Sequence, residues 1–253
     1  MQPLKYSCKK KKLHPDLQKV WRGQKPNKDA EVFQQKENRF SSIKFIFFVL
    51  LSVAYIPHYT IMGLLGYETF LLNKKQITHI LGGKKYKTLL DIWSGSGCIT
   101  REFESFVDTI AYQEPSTSFQ KILNQRGYRR DTGNAKTKYD IITLFNILDV
   151  CDNPKKLIEK TIQKLQKEGV ILVSLPFPIW IKSWDNTHIL ETNTIAQAQD
   201  SDFESSVSRF YTDFLQKHNL RVTYFSRLPY IVSLPESKKT TVYDNGLFVC
   251  EIV

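Results

Sequence analysis

Residues 88–100, TLLDIWSGSGCIT, constrain the fold more than any other part of the chain. An apolar run ends in Asp91 and passes through a turn that contains Gly95 and Gly97. The chain then leads into a helically spaced segment that ends at Phe106. This succession predicts a strand, a tight loop and a helix. Because glycine has no Cβ, such a loop lets backbone N–H groups approach a ligand closely.

The glycine loop by itself does not identify a ligand. It lacks the third glycine of a dinucleotide fingerprint, and no Lys-Ser or Lys-Thr pair makes it a phosphate-binding P-loop. A strand followed by a glycine turn without any ligand is an equally good interpretation at this point. The decision therefore depends on the rest of the chain.

Length and composition indicate a globular protein of one main domain. A chain of 253 residues with 42% hydrophobic residues can form one well-cored domain plus extensions. The four cysteines, Cys8, Cys98, Cys151 and Cys250, form no C-x-x-C pair, so we expect neither a metal site nor a disulfide framework. Without a recognisable secretory signal, we expect a reducing, cytoplasmic compartment. Nuclear import and membrane association stay open.

The positive charge of the chain is concentrated at its N-terminus. The net charge is +11, and residues 1–40 hold eleven Lys and Arg against four Asp and Glu, which leaves +7 there. The lysine run 9–12 lies among several prolines. Such a composition predicts a solvated, flexible tail over residues 1–40. Binding of RNA or of an acidic surface is the alternative, although we expect no nucleic-acid partner.

Residues 41–86 are predicted to form a helical extension. Residues 43–56 are apolar except for one lysine and one serine, and Pro57 ends the run. A helix that spans a bilayer needs about 20 apolar residues. A buried or docking helix is therefore favoured, and we expect no stable membrane span. Residues 71–81 suggest a second, amphipathic helix that ends at a glycine pair.

From residue 87 to residue 253, apolar strands alternate with amphipathic helices. The expected strands are residues 88–92, 109–113, 139–145, 170–175, 221–225 and 247–253. Between them we expect one helix from Ser116 to a stop at Gly127, another from Pro154 to a stop at Gly169, and a third over residues 203–214. This is the pattern of an α/β fold with a mostly parallel sheet and helices on both faces.

Polar residues follow three of these strands. Asp91 closes the first strand, and Glu114 ends the second at a spacing that suits a carboxylate accepting both ribose hydroxyls of a nucleoside. Asn146 and Asp149 follow the strand 139–145, so both can face the same crevice as the glycine loop. Glu114 as an exposed acid, and Asp149 as a helix-capping residue, are the alternatives.

An acid at the end of the second strand, after a glycine loop, resembles the layout of Rossmann-like class I S-adenosylmethionine-dependent methyltransferases, with their seven-stranded sheet. More specifically, the chain resembles the DREV family, also called methyltransferase-like protein 9, from about residue 43 to the end. The stretches that carry this resemblance are Leu89-Leu90-Asp91-Ile92, Phe145-Asn146-Ile147-Leu148-Asp149-Val150-Cys151-Asp152-Asn153-Pro154, Leu175-Pro176-Phe177 and Arg227-Leu228-Pro229-Tyr230.

The resemblance implies a protein-L-histidine N-pros-methyltransferase that uses S-adenosylmethionine and acts on His-x-His sequences of other proteins. Separately, we expect the chain to be a monomer. The resemblance also implies catalytic roles for Asp149, Asn146, Tyr230 and Tyr243. For the two tyrosines, a place in the core or in an edge strand is the alternative. The cofactor would contact Asp91, Trp93, Gly95, Gly97, Glu114 and Asn146, and Asn134 or Asp131 on its adenine side.

The glycine loop departs from the family pattern. Where the family has Asp-Leu-Gly-Ala-Gly-Asp-Gly-Glu-Val-Thr, this chain has Trp93 in place of the first glycine and Ser96 and Cys98 in place of two acids. A bulky indole could narrow the cofactor site. The rival interpretation is therefore a methyltransferase-fold binding protein that has reduced or no activity.

Overall fold

The computed structural model describes residues 3–35, 42–53, 58–65, 68–134, 136–179, 202–233 and 240–253. The strands are β1 Glu68–Phe70, β2 Tyr86–Ile92, β3 Val107–Gln113, β4 Arg129–Arg130, β5 Tyr139–Phe145, β6 Leu165–Pro176, β7 Leu220–Ser233 and β8 Thr241–Ile252. The α-helices are α1 Pro15–Val20, α2 Lys28–Gln35, α3 Ser42–Val53, α4 His58–Leu65, α5 Lys74–Ile80, α6 Thr117–Gln125, α7 Pro154–Lys164 and α8 Phe203–Phe210.

The eight described strands form one sheet in the order β1-β7-β8-β6-β5-β2-β3-β4. Strands β2 to β6 pair in parallel, whereas β8 is antiparallel to β6 and β7. This confirms the predicted mostly parallel sheet and adds β1 as an edge strand that the sequence did not indicate. The strand order reverses between β2 and β5, so the carboxyl ends of these two strands form the crevice where such sheets bind ligands.

Consecutive residues of the central strands belong to two separate cores. Leu89 packs in a cluster with Phe119 of α6, whereas Leu90 packs in a cluster with Ile158 of α7 and Phe210 of α8. Successive side chains of a strand point to opposite faces of the sheet. Helices therefore cover both faces, as predicted.

Two helix boundaries differ from the prediction. Helix α7 ends at Lys164, and Gly169 lies inside β6, where a Cβ would come within 2.8 Å of the Asp140 carbonyl oxygen of β5. That glycine therefore allows close strand packing and does not end a helix. The helix expected after the glycine loop is only a short 3-10 turn, Thr100–Phe103.

Residues 41–86 hold helices α3 to α5 and also strand β1, so they are not purely helical. Met62 of α4 is buried in the core that contains α6. Helix α3 is less buried than the predicted docking helix, because the side chains of Ile46, Phe47 and Leu50 are each more than half exposed. Within the described ranges, every helix falls short of the length and apolarity that crossing a membrane requires.

The described part of the basic tail is docked, which corrects the prediction of a flexible arm over residues 1–40. Leu13 and Leu17 are 3% and 0% exposed and belong to the core that contains α7 and α8. The Arg227 guanidinium of β7 donates a hydrogen bond of 2.9 Å to the Ser7 carbonyl. Composition gave no sign of this docking because all of these partners lie far away in the sequence.

The docking of the tail predicts that Leu17→Ala destabilises the protein by about 2–5 kcal/mol, as expected for a large-to-small change at a fully buried site. Urea unfolding of the full chain measures this change. Val32→Ala in α2, where the side chain is 67% exposed, is the matched control and should change stability by less than about 0.5 kcal/mol. A flexible arm would leave both variants as stable as the unsubstituted protein.

Candidate active site

Asp91 is a buried carboxyl group beneath the glycine loop. It accepts a hydrogen bond of 2.6 Å from the Thr143 hydroxyl of β5 and another from the Thr100 hydroxyl at the far end of the loop. Burial raises the pKa of Asp91 to about 6, against the opposing effect of these hydrogen bonds. Asp91 therefore joins β2 to β5 and fixes both ends of the loop.

Three residues of the loop have left-handed backbone angles: Trp93 with φ 61°, Gly95 with φ 56° and Gly97 with φ 73°. A Cβ on Gly97 would lie 2.9 Å from a methyl carbon of Leu123, so this glycine lets the loop lie against α6. Trp93 has a Cβ, and the left-handed region costs such a residue about 1–2 kcal/mol. The strain is therefore located at the position where the chain departs from the family pattern.

The Glu114 carboxylate supports the loop from the end of β3. It is 5% exposed and accepts hydrogen bonds from the backbone N–H groups of Gly95, at 2.9 Å, and Ser116, at 2.8 Å. Each carboxylate oxygen can accept more than one hydrogen bond. Contact with ribose hydroxyls is therefore compatible with this arrangement and stays a prediction.

Asn146 directly follows β5 in a left-handed conformation, with φ 54°. Its backbone N–H donates to the Ser174 carbonyl at 2.7 Å, and its side-chain oxygen accepts a hydrogen bond from Nδ2 of Asn245. The same Asn245 amide donates to the Ser174 hydroxyl at 2.8 Å. Asn146 Nδ2 is buried and has no hydrogen-bond partner among the described residues, so it offers a donor to a ligand.

Asp149 lies three residues further along and is 5% exposed. Burial raises its pKa to about 7, while its own backbone N–H opposes the shift. Burial and the nearby Asp149 carboxylate raise the pKa of Tyr243. The ring centroids of Tyr243 and Tyr230 are 6.0 Å apart across the β7–β8 pair. The four predicted catalytic residues thus lie at one edge of the sheet.

A cavity of about 40 Å³ lies between the glycine loop and β5. Among the predicted site residues, those that line it are Asp91, Trp93, Gly95, Asn146 and Tyr230. Gly97, Glu114 and Asn134 do not line it. Sites for drug-sized ligands typically measure about 300–1,000 Å³. Binding of a nucleoside-sized ligand therefore requires wall side chains such as Trp93 to move.

Asp131 and Asn134, the predicted adenine-side residues, have partners of their own. Asp131 forms an ion pair of 2.9 Å with Lys164 and accepts a hydrogen bond of 2.6 Å from Gln113. Burial would raise the pKa of Asp131, yet these bonds outweigh it and the pKa is lowered. Asn134 is exposed, and its side chain accepts a hydrogen bond from the Lys136 N–H. The structure does not bring Asn134 to the cavity.

Asn245 is a site residue that sequence reasoning missed. An Asn-Gly pair usually signals a turn, so residues before 247 were not predicted as strand. In the structure Asn245 is fully buried inside β8. A Cβ on Gly246 would lie 2.9 Å from the Phe177 ring, so this glycine makes room for an aromatic side chain.

Comparison with known proteins adds a family match. A family model described as DREV methyltransferase matches residues 5–249. Among solved structures, YjhP from Escherichia coli is 12% identical, with 78% of this chain and 100% of that chain covered and a TM-score of 0.49. A methyltransferase from Leishmania major is 14% identical, with coverage of 70% and 71% and a TM-score of 0.47. The N-methyltransferase NodS from Bradyrhizobium japonicum, solved with S-adenosylhomocysteine, is 10% identical, with coverage of 70% and 84% and a TM-score of 0.44. All three TM-scores are below 0.5, so the assignment of the chain to a family rests on the family model alone.

The raised pKa of Asp149 predicts a pH-dependent gain in stability for Asp149→Asn. The folded protein keeps the proton up to pH about 7, whereas the unfolded chain releases it near the ordinary value of 3.8. Stability contributed by the protonated group is therefore lost as the pH rises between these values. The increase in the free energy of unfolding caused by Asp149→Asn should be about 1–3 kcal/mol larger at pH 8 than at pH 5. Urea unfolding at the two pH values measures it.

Asp152→Asn provides the control for this measurement, because it makes the same chemical change at an exposed position three residues away. Its effect on stability should be small at both pH values. Equal gains for Asp149→Asn at pH 5 and pH 8 would show that the Asp149 carboxyl group has an ordinary pKa in the folded protein.

Proposed function

The chain belongs to the DREV methyltransferase family, and from this premise we propose that it methylates histidine side chains in His-x-His sequences of other proteins. Family membership makes it an S-adenosylmethionine-dependent methyltransferase. The protein substrate, and the choice of N-pros, the ring nitrogen nearer the main chain, are the proposal. Two sets of residues support it, one for the cofactor and one for the acceptor.

The residues around the cavity fit the cofactor in their chemistry. When bound, S-adenosylmethionine supplies a methyl group on a positively charged sulfonium. Asn146 Nδ2 offers a buried donor that has no partner among the described residues. The Glu114 carboxylate keeps acceptor capacity for ribose hydroxyls. Asp91 and Gly95 line the cavity with Asn146, whereas Glu114 lies outside it and accepts the Gly95 N–H. We expect these four residues to hold the cofactor.

The observation that carries the histidine assignment is the position of Asp149, a carboxyl group that is 5% exposed and lies near Tyr243 at the carboxyl edge of the sheet. Burial raises the pKa of Asp149 to about 7. This value lies close to the ordinary imidazole pKa of about 6.5. Once ionised, the carboxylate can accept a hydrogen bond from the N–H at the far ring nitrogen. That tautomer leaves the lone pair on N-pros free for methylation.

The same carboxylate suits the charge changes of the reaction. When N-pros gains a methyl group, the imidazole ring becomes positive, and a nearby negative charge stabilises it. Asp149 can then accept the proton from the far ring nitrogen, because a base with a pKa near the working pH serves best. We expect Asn146 to assist in orienting the ring, and Tyr230 and Tyr243 to contact the acceptor from β7 and β8.

Asp149→Asn should lower kcat by about 100-fold or more and leave the dissociation constant of S-adenosylhomocysteine within about twofold. The substitution keeps the shape of the side chain and removes its charge and basicity. Methyl transfer from labelled S-adenosylmethionine to a His-x-His peptide measures the rate, and calorimetric titration measures the affinity. Asp152→Asn should turn over normally. A near-normal rate for Asp149→Asn would remove Asp149 from the chemistry.

A binding protein without turnover is the second candidate, and Trp93 is the observation that favours it. This residue has a left-handed backbone and lines a cavity that is small for a nucleoside. In this interpretation the indole restricts the cofactor site and leaves a surface that binds a partner but transfers no methyl group.

Trp93→Gly should tighten the binding of S-adenosylhomocysteine by about tenfold, equivalent to about 1.4 kcal/mol, because the ligand no longer displaces an indole. Trp93→Phe, which keeps a ring, is the control and should bind as the unsubstituted protein does. If turnover occurs only after Trp93→Gly, the binding-protein candidate is correct. Weaker binding by Trp93→Gly would mean that the indole contacts the cofactor.

A further inference from the structure

Strand β8 extends beyond the end of its neighbour β6. The β6–β8 pairing stops at Pro176 and Asn245, and one more hydrogen bond of 2.9 Å joins the Phe177 N–H to the Asp244 carbonyl. On its other side, β8 stays paired with β7 as far as Thr241. Within the part of the chain that the structure describes, no strand pairs with residues 241–243 on the β6 side. Among the described residues, strand β8 therefore has a short open edge at positions 241–243.

The direction of the backbone groups on this edge follows from strand geometry. In an antiparallel strand, the N–H and C=O of one residue point to the same side, and the side alternates from residue to residue. The Asp244 carbonyl points toward β6, since it accepts the Phe177 N–H. Val242, two residues before it, therefore presents its own N–H and C=O to the open edge.

The open edge forms one wall of a groove of about 780 Å³. The docked N-terminal segment lines the same groove with Lys5 and Ser7, and Glu204 of α8 also contributes. The charged groups in these walls pair with each other. Arg227 binds Asp244 through two nitrogens and also donates to the Ser7 carbonyl, and the Lys9 backbone N–H donates to Glu204 at 2.6 Å. The walls of the groove are thus held by their own contacts, and Val242 of the open edge lines one side.

The groove adjoins the proposed catalytic residues. Tyr243 lines it and is close enough to Asp149 for the carboxylate to raise its pKa together with burial. Asn245, which bonds Asn146, lies two residues along β8 and therefore on the same face of the sheet as Tyr243. Val242 and Asp244 belong to the opposite face. A chain paired with this edge would direct every second side chain toward the catalytic face.

We propose that the open edge of β8 at residues 241–243 binds an extended segment of the methyl-accepting protein by strand addition. This inference rests on the proposed function and specifies how its substrate is held. Backbone hydrogen bonds to Val242 provide affinity that does not depend on the acceptor's side chains. Residues i and i+2 of an added strand point to the same face, so both histidines of a His-x-His sequence lie on the side of Tyr243.

The test is a backbone scan of a His-x-His peptide, with each amide in turn replaced by an ester that removes a single N–H. The full-length protein and labelled S-adenosylmethionine are used. Strand addition predicts that kcat/KM falls about 3- to 10-fold at the one position whose N–H donates to the Val242 carbonyl and changes little at the two neighbouring positions, because a lost hydrogen bond is worth about 0.5–1.5 kcal/mol.

A protein variant provides independent evidence. Val242→Pro removes the N–H that faces the open edge, and should raise KM for the peptide by about 3- to 10-fold without changing S-adenosylhomocysteine affinity. Val242→Ala keeps the N–H and should retain the KM of the unsubstituted protein. If Val242→Pro does not fold, the peptide scan still decides, since it uses the unsubstituted protein.

The outcomes separate this inference from the proposed function. If the unmodified peptide is methylated but ester substitution has no effect, or has the same effect at every position, strand addition is wrong and histidine methylation stands. If the protein binds S-adenosylhomocysteine and does not methylate the unmodified peptide, the proposed function fails and this inference fails with it.

Discussion

A buried hydrogen-bond network at the carboxyl edge of the sheet holds the site together. The Asn245 side chain donates both to Asn146, which follows β5, and to Ser174 in β6, so one amide links three segments of the sheet. Because Asn245 is fully buried, removing its partners would leave polar groups in an apolar environment at a cost of about 1–3 kcal/mol each. The position of the proposed catalytic loop thus depends on this network.

Two buried carboxyl groups, Asp91 and Asp149, lie at this edge of the sheet. Asp91 receives hydroxyl hydrogen bonds from β5 and the loop, and the pKa of this group rises only to about 6. Burial raises the pKa of Asp149 to about 7, and a hydrogen bond from its own backbone N–H opposes this rise. Hydrogen bonds to the ionised form lower a pKa against the effect of burial. The hydrogen bonds of Asp91 hold the loop in place, and proton exchange near neutral pH is the role that we propose for Asp149.

The residue types at the ends of the expected strands were sufficient to predict much of the fold and part of the site. Apolar runs that end in polar residues predicted the parallel strands. They also predicted that Asp91 and Asn146 approach each other where the strand order reverses. The N-terminal segment could not be predicted, because Leu17 is buried in a core whose other members, such as Ile158 of α7 and Phe210 of α8, lie far away in the sequence. Asn245 was missed because its glycine neighbour resembles a turn, although that glycine makes room for Phe177.

The central claim is that this edge of the sheet presents a histidine ring whose far nitrogen is held by Asp149, so that the nearer nitrogen is methylated. The most direct test is to treat a His-x-His peptide with the full-length protein and ¹³C-methyl S-adenosylmethionine, and to locate the methyl group by NMR couplings to the ring protons. The account predicts a methyl group on N-pros. A methyl group on the far ring nitrogen, or a mixture of both products, would contradict it.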